Sequence, residues 1–242
     1  MLVNTRNPLN IGAAARAMSN FGFARLRVVN PFELAFREVR SAVGAAPLLA
    51  RAEEFKSVAD AVADCSLVVG TSALSRRSPE HVVRELQQGA RLVRKRLAAG
   101  NVALLFGSEK RGLSNEELSH CHWLMRIPTR EEHRSMNLGQ AVAVCLYELA
   151  RNAKPAAEKE KVSRAAAGDL ERLTSLLLEV LQASGYLKTA LGKTEGKRSA
   201  APMAEKIRRF ARRLNLSATD ARLLAGMLRQ MDWKLRTSAK PD

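Results

Sequence analysis

Short apolar runs alternate with helical segments over the first 152 residues of this 242-residue chain. Three of these runs have the length and composition of buried strands, and each ends near Asn, Gly or Ser, where a loop can lead into a helix. They are Leu26–Val29, Leu67–Gly70 and Val102–Phe106, and Met1–Val3 resembles the stub of another. The alternation predicts an α/β domain with a mostly parallel sheet flanked by helices.

A helix is expected between the second and third of these runs. Apolar residues recur there at helical spacing, which predicts one amphipathic helix from about Pro79 to Ala99. The residues of this apolar face are Val82, Val83, Leu86, Ala90, Val93 and Leu97.

The composition changes after Arg151. Residues 153–166 begin with a charged stretch that has no apolar period and contains Pro155, so we expect a linker. Residues 167–242 then show three apolar stripes at helical spacing, which predict a small all-helical module. The domain division is therefore 1–152, 153–166 and 167–242.

The chain carries a formal net charge of +16, with 40 Lys and Arg against 24 Asp and Glu. Such an excess favours a polyanionic partner, and RNA fits better than a membrane. No apolar run approaches the roughly 20 residues that a membrane-spanning helix needs. No signal peptide is recognisable, so we expect a cytoplasmic protein.

Four arginines of the second tail helix are candidate RNA contacts. Helical geometry predicts that they lie opposite an apolar stripe of Met203, Ile207, Phe210 and Leu214, so that one face packs and the other meets phosphate. An ordinary solvated surface is the alternative. The four residues are Arg208, Arg209, Arg212 and Arg213.

The cysteines and histidines do not predict a metal site. Cys65, Cys121 and Cys145 are irregularly spaced, and we expect reduced, mostly buried thiols. His120-Cys121-His122 contains metal-binding residue types, but neighbouring side chains point in different directions and no second ligand pair follows at zinc spacing.

Three further segments are candidates for chemistry. The first, Asn7 to Gly22, has Pro8 and Asn10 at a predicted turn and helix N-cap, then small residues and Arg16 on the second turn. Small side chains let another backbone or a ligand come close. A plain alanine-rich helix is the alternative, but the string Asn-Pro-x-Asn-Ile-Gly-Ala-Ala-x-Arg is more particular than a helix requires.

The second segment follows the strand Val102–Phe106. Gly107 and Gly112 predict a sharply turning loop that presents backbone groups at the carboxyl end of a strand. It is not a P-loop, because no Lys-Ser or Lys-Thr follows Gly112, and the chain contains no G-x-G-x-x-G. Ser114 and Glu117 predict a capping box for the next short helix.

The third segment runs from Ile127 to Gln140 and leads into a helix with a core-facing apolar side. Ser135 and Asn137 stand together at the helix start, where capping alone would explain them. Their occurrence after the other two segments favours a functional role.

Together and in this order, the three segments resemble the motifs of the SpoU/TrmH family of the SPOUT class, over about residues 1–152. The basic helical tail is similar to the extension of the branch that methylates a pyrimidine at position 32 of the tRNA anticodon loop. The resemblance implies transfer of a methyl group from S-adenosyl-L-methionine to an RNA 2′-hydroxyl, without a metal. It also implies a C-terminal trefoil knot in the sheet and a homodimer whose active sites use residues of both copies.

The resemblance also assigns residues. Arg16 matches the arginine linked to activation of the ribose hydroxyl, and since a guanidinium is effectively always protonated, we expect it to orient and stabilise charge rather than to act as a simple base. The other members of the implied catalytic set are Asn10, Glu109, Ser135 and Asn137. The implied cofactor-binding residues are Thr71, Ser72, Ala73, Gly107, Ile127, Arg134, Ser135 and Met136.

Two alternatives remain open at the level of sequence. One is an RNA-binding protein without catalysis that relies on the basic tail, although such a protein would not need the catalytic set. The other is the same enzyme acting on ribosomal RNA.

Overall fold

A computed structural model describes residues 1–31, 46–73, 80–151, 163–187 and 200–238. In this part of the chain, the first 151 residues form an α/β domain and the rest is helical. The strands are β1 (Leu2–Val3), β2 (Arg27–Val29), β3 (Glu53–Phe55), β4 (Leu67–Thr71), β5 (Val83–Glu85), β6 (Val102–Leu105) and β7 (Trp123–Arg126).

The strands form one parallel layer built from two groups. One group has the order β1-β2-β3 and the other the order β5-β7-β4-β6. A parallel bridge between Leu2 and Phe106 joins β1 to the end of β6. The last strand, β7, lies between β4 and β5, so the chain returns to the interior of the sheet after leaving it.

The helices cover both faces of this layer and form the tail. In the α/β domain they are α1 (Pro8–Asn20), α2 (Ala46–Ala50), α3 (Val58–Val62), α4 (Leu86–Leu97), α5 (Asn115–Ser119) and α6 (Leu138–Ala150), with a 3₁₀ turn at Glu131–His133. In the tail they are α7 (Ala167–Ala183), α8 (Ala200–Arg213) and α9 (Ala218–Ser238).

Each central strand buries both of its faces, which is why the strands are continuous apolar runs. Val28 and Val69 face a cluster formed with α1, α4 and α6. Val29, Val68 and Leu105 face a second cluster on the opposite side, formed with α3 and α5. The predicted fold class, a mostly parallel sheet flanked by helices, is confirmed.

The predicted helix over residues 79–99 is wrong in its first part. Val83–Glu85 is a strand that pairs with β7 in parallel, and the Val82 carbonyl accepts a hydrogen bond from the Leu124 backbone N–H at 2.9 Å. Two successive β-branched residues suit this edge position. The helix begins at Leu86 and keeps the predicted buried residues Ala90 and Val93.

The tail helices have their own small core of Leu170, Leu173, Ala221 and Leu228. The start of α7 is tied to the α/β domain, because the Ala167 and Gly168 backbone N–H groups donate to the carbonyls of Cys65 and Ala63. Most of the predicted linker lies outside the described residues, and the domain division and the trefoil knot stay predictions. In the described ranges no helix is long and apolar enough to cross a membrane.

Candidate active site

Helix α1 presents the first segment. Asn7 is its N-cap: the side chain accepts a hydrogen bond from the Leu9 backbone N–H at 2.9 Å, and Pro8 occupies the first turn. The expectation that Asn10 helps to form the cap is therefore wrong. Because Asn7 satisfies the helix end, the Asn10 amide is free to bond outside the helix.

Asn10 joins the three sequence segments into one hydrogen-bonded unit. Its Nδ2 donates to Glu109 Oε1 at 3.1 Å, and its Oδ1 accepts from Asn137 Nδ2 at 2.8 Å. Asn137 also caps α6 by accepting from the Gln140 backbone N–H at 3.3 Å. The capping explanation for Asn137 is thus correct, and the same side chain reaches the Asn10–Glu109 pair.

Glu109 is held as a carboxylate. Burial alone would raise its pKa, but hydrogen bonds from its own backbone N–H, from Asn10 and from the Asn7 and Arg6 backbone N–H groups outweigh burial and lower the pKa. The Asn7 and Arg6 bonds measure 3.2 and 3.4 Å. A carboxylate with a lowered pKa is a weak base, so Glu109 is suited to hold the turn before α1 rather than to remove a proton.

The two glycines of the second segment close its loop tightly. A Cβ at Gly107 would lie 2.2 Å from the backbone carbon of Gly112, so no other residue fits there without moving the loop. Gly112 itself has a φ of 68°, and its backbone N–H donates to the Ser108 carbonyl at 2.8 Å. This tight turn directs Glu109 toward α1.

Close packing of α1 against α6 explains the small residues of the first segment. A Cβ at Gly139 would lie 2.6 Å from the Cβ of Ala13, so both positions require small side chains. The approach of the two helices is what brings Asn10 within reach of Asn137.

The residues expected to bind the cofactor follow the carboxyl ends of three adjacent strands, β7, β4 and β6. Thr71 ends β4 and donates to the Leu105 carbonyl at 2.8 Å, and the Ser72 backbone N–H donates to the Met125 carbonyl at 3.1 Å. Gly107 and Ile127 come shortly after β6 and β7. This edge of a parallel sheet is where ligands of such folds bind.

Other predicted residues border this group without bonding to it. Arg16 lies on the exposed side of α1 and has no hydrogen bond or ion pair with another described residue. Ser135 is also exposed, and Met136 is half-buried. Arg134 contacts Glu131 of the 3₁₀ turn, with Nη2 3.5 Å from the carboxylate. Arg16 is thus a fixed positive charge available to a ligand.

Comparison with known proteins decides the family. The SpoU rRNA Methylase family matches residues 1–147. The chain belongs to this SpoU methylase family. Its tRNA (cytidine/uridine-2′-O-)-methyltransferase TrmJ relatives include the protein of Sodalis glossinidius, which is 33% identical over 238 residues and matches 96% of this chain and 90% of its own length. The TrmJ protein of Yersinia pestis is 34% identical over 241 residues, with the same coverage.

The crystal structure of TrmJ from Z. mobilis ZM4 is similar as well. It has a TM-score of 0.79 and 28% identity, and the match covers 96% of this chain and 97% of that one. The match therefore includes the helical tail as well as the SpoU domain, as the resemblance implied.

The structure of this SpoU family member adds residues that the sequence did not single out. Asn4 has a φ of 54°, and its side chain donates to Glu117 at 2.5 Å, which ties the end of β1 to the capping box of α5. Thr5 is fully buried, and its hydroxyl has no hydrogen-bond partner among the described residues. Asn4 lies in the left-handed region of φ directly after a strand of only two residues, and so short a strand did not predict a turn here.

His120 and His122 serve structural roles in this SpoU domain. His122 Nδ1 accepts from the Val68 backbone N–H at 3.1 Å, and burial lowers its pKa to about 3, so the ring is neutral. His120 Nε2 lies 3.1 Å from Glu116. No group of three or more metal-binding side chains occurs in the described ranges.

The predicted orientation of the arginine helix is wrong for three of its four arginines. Arg208 bonds to both Glu171 oxygens at 3.0 Å and to the Ser119 hydroxyl at 2.8 Å, and Arg209 pairs with Glu80 at 2.5 Å. Arg212 is only 1% exposed and lies 3.5 Å from Glu171. Of the four, Arg213 alone is exposed.

The physical reason is local charge. Carboxylates on α7 and just before β5 meet the arginine face of α8 and offset the cost of burying it. Burial lowers the pKa of Arg212 to about 10, which still leaves it protonated at neutral pH. The apolar side of α8 consequently turns partly outward, with Phe210 48% and Leu214 40% exposed.

Proposed function

We propose that this chain transfers a methyl group from S-adenosylmethionine to a ribose 2′-hydroxyl of tRNA, at the pyrimidine in position 32 of the anticodon loop. The observation that carries the proposal is the Asn10–Glu109–Asn137 unit, which joins all three segments beside the carboxyl ends of β4, β6 and β7. Similarity over 96% of the chain to TrmJ tRNA methyltransferases supports tRNA as the substrate.

The loops at this sheet edge suit the cofactor. Apart from Arg134, their side chains are uncharged, and with the backbone groups and half-buried Ile127 and Met136 they fit a ligand with a flat base and an uncharged ribose. The residues that would hold it are Thr71, Ser72, Ala73, Gly107, Ile127, Arg134, Ser135 and Met136. When bound, S-adenosylmethionine supplies an electrophilic methyl group, which the ribose oxygen takes as the carbon–sulfur bond breaks.

The protein's own task is to position the hydroxyl and to stabilise its developing negative charge. A 2′-hydroxyl is a poor nucleophile at neutral pH, and preorganised charge is an effective way to assist it. The Arg16 guanidinium, which has no partner among the described residues, lies on the exposed face of α1, where it can bind the ribose and a neighbouring phosphate. Its fixed charge lowers the cost of the proton leaving to water, while Ser135 offers a hydroxyl to the same substrate.

The Asn10–Glu109–Asn137 unit acts through geometry. Glu109 holds the turn before α1, and Asn10 links that turn to the start of α6. The first turns of α1 and the loop before α6 therefore keep a fixed relation within each copy, so that each copy presents Arg16 and Ser135 in a defined geometry. Asn10, Glu109 and Asn137 are positioning residues in this proposal.

The partners follow from the same proposal. Two copies pair so that Arg16 of one copy faces the cofactor loops of the other. A tRNA-modifying enzyme would act in the cytoplasm, where its substrate is.

Methyl transfer to purified tRNA tests the proposal. The full chain is incubated with tRNA and S-adenosylmethionine, and the modified nucleotide is mapped by mass spectrometry. We expect one 2′-O-methylpyrimidine in the anticodon loop and none when that nucleotide is 2′-deoxy. Methylation of a base would overturn the proposal, as would no transfer to tRNA by a protein that binds the cofactor.

Ribosomal RNA is a second candidate substrate because the matching family is described as rRNA methylases. Equal concentrations of tRNA and ribosomal RNA in one reaction distinguish the two, and preferential labelling of ribosomal RNA would favour the second. A protein that binds RNA but shows no detectable affinity for S-adenosylmethionine or S-adenosylhomocysteine would instead be a non-catalytic RNA binder.

A further inference from the structure

The outward face of α9 carries two arginines and a tryptophan in one line. At about 100° per residue, Arg222, Arg229 and Trp233 fall within a sector of roughly 40° on the helix. A neighbouring face of α9, about 100° to 120° around the helix from Arg222, packs on α7 through Ala221 and Leu228. The three side chains therefore project from a helix that is held in place by its packing on α7.

None of these three side chains is needed for the internal structure. Arg229 has no hydrogen bond or ion pair with another described residue, and Arg222 bonds only to the Ala218 carbonyl of its own helix, at 3.2 Å. By contrast, Arg236 of the same helix pairs with Asp232 at 2.7 Å. Trp233 is 57% exposed, whereas Trp123, in the sheet, is 8% exposed.

Gly226 leaves a gap in this line. It lies between Arg222 and Arg229 on the same side of α9, and a Cβ built there would meet nothing within 4 Å. A flat group can therefore approach the helix backbone between the two guanidinium groups. The spacing places the arginines about 10 Å apart along the helix axis, with the indole about 6 Å further.

This combination fits unpaired RNA. Arginine binds phosphate through paired N–H groups, and an exposed indole stacks on a base that is not already stacked in a duplex. The chain's net charge of +16 favours an anionic partner, and no carboxylate of the described residues neutralises Arg229. Because Arg208, Arg209 and Arg212 of α8 are engaged internally, the module needs another surface for that partner.

We propose that the Arg222–Arg229–Trp233 face of α9 binds a single-stranded segment of the RNA substrate, with phosphates at the arginines and a base stacked on Trp233. This inference rests on the proposed function, since it takes the substrate to be RNA with an unpaired loop. It moves the RNA-binding surface of the tail from the arginine side of α8 to α9.

Binding of the full chain to tRNA, measured by fluorescence anisotropy at several salt concentrations, tests the proposal. We expect Trp233→Leu to weaken binding roughly 5- to 100-fold, with substantial recovery in Trp233→Phe. The double variant Arg222→Ala/Arg229→Ala should make the fall of log affinity with log salt shallower, by about 1.4 to 1.8 in the slope. Lys234→Ala is the matched control, since Lys234 is equally an exposed cation of α9 but lies on another face.

Tryptophan fluorescence reports on the contact itself. RNA should quench the exposed Trp233, and the quenched component should be missing in Trp233→Phe, which keeps Trp123. Quenching that depends on protein concentration rather than on RNA would indicate contact between copies and overturn the proposal. So would unchanged affinity and salt slope in the arginine variant.

The same samples separate this inference from the proposed function. Methylation of tRNA without any effect of the α9 variants would refute only the α9 surface. Quenching and loss of binding in a protein that transfers no methyl group would refute only the proposed activity.

Discussion

Asn10 uses each end of its amide for a different partner, and that division makes it sensitive to a change of a single atom. The Nδ2 group donates to Glu109 and the Oδ1 atom accepts from Asn137. An aspartate of the same shape keeps the acceptor and loses the donor. Such a substitution can therefore test the network without removing the side chain.

We expect Asn10→Asp to reduce steady-state methyl transfer roughly 100-fold at pH 8, with a larger effect on kcat than on KM. It places two carboxylates about 3 Å apart, so the pKa of one rises strongly. As the pH falls toward 6 the pair should take up a proton, regain an O–H donor and recover part of the activity. The measurement is a pH profile of transfer to tRNA.

Asn10→Ala is the matched control, because it loses both bonds at every pH. Its activity should not recover on acidification. Identical pH profiles for Asn10→Asp and Asn10→Ala would show that the hydrogen bond to Glu109 does not position the site.

The sequence could suggest these residues only through resemblance. Asn10 and Glu109 are 99 positions apart, and Asn10 and Asn137 are 127 apart. Periodicity reports on neighbours along one element and contains no information on such distances. Asn7 was missed as the cap for a local reason, since Asn7 and Asn10 both suit a helix start.

At the scale of the elements, the long apolar runs were the most predictable feature. β2, β4 and β6 match the predicted strands within a residue or two, because burial on both faces requires continuous apolar sequence. β3, β5 and β7 were missed. Trp123–Arg126 ends in a charged residue, and Val83–Glu85 has half-buried and exposed side chains with no apolar run.

Helix α8 shows the opposite failure. Its stripes were correctly recognised, but most of the arginines face inward and Phe210 and Leu214 outward, because polarity alone does not reveal which carboxylates lie nearby. Glu171 on α7 meets Arg208 and Arg212, and Glu80 meets Arg209. A face rich in arginine can be buried when its charges are paired.

Glu171 should therefore be important for stability. We expect Glu171→Gln to destabilise the fold by about 3 kcal/mol, because it leaves the buried guanidinium of Arg212 without its counter-charge. For a chain of this size that corresponds to a decrease in Tm of roughly 6 to 12 °C, measured by thermal unfolding.

Glu179→Gln is the matched control on the same helix. Glu179 lies 4.0 Å from Arg236, and both side chains are at least half exposed, so its loss should cost at most about 1 kcal/mol. Equal decreases in Tm for the two variants would contradict the role assigned to Glu171.

At the scale of the whole molecule, the proposed reaction uses two groups that lie on different elements of the fold. The loops proposed to hold the cofactor follow β4, β6 and β7, whereas Arg16 lies on the exposed side of α1 and has no hydrogen bond or ion pair with another described residue. A second copy, related by a twofold axis, would supply the missing half of each site. The proposed homodimer thus gives the exposed Arg16 a function.

Mixed dimers can distinguish a shared site from a site within one chain. Arg16→Ala removes the ribose-binding half, and Ala73→Trp fills the cofactor edge at the end of β4. If Arg16 acts on the partner's loops, a dimer of one copy of each contains one intact site, formed by the cofactor loops of the Arg16→Ala chain and Arg16 of the other. Random pairing of equal amounts should then restore about a quarter of the wild-type activity, although each variant alone is inactive. Different affinity tags on the two chains verify that mixed dimers form. Mixed dimers that remain inactive would place Arg16 in the site of its own chain. In that arrangement one copy lacks the arginine and the other lacks the cofactor edge, so neither copy has an intact site.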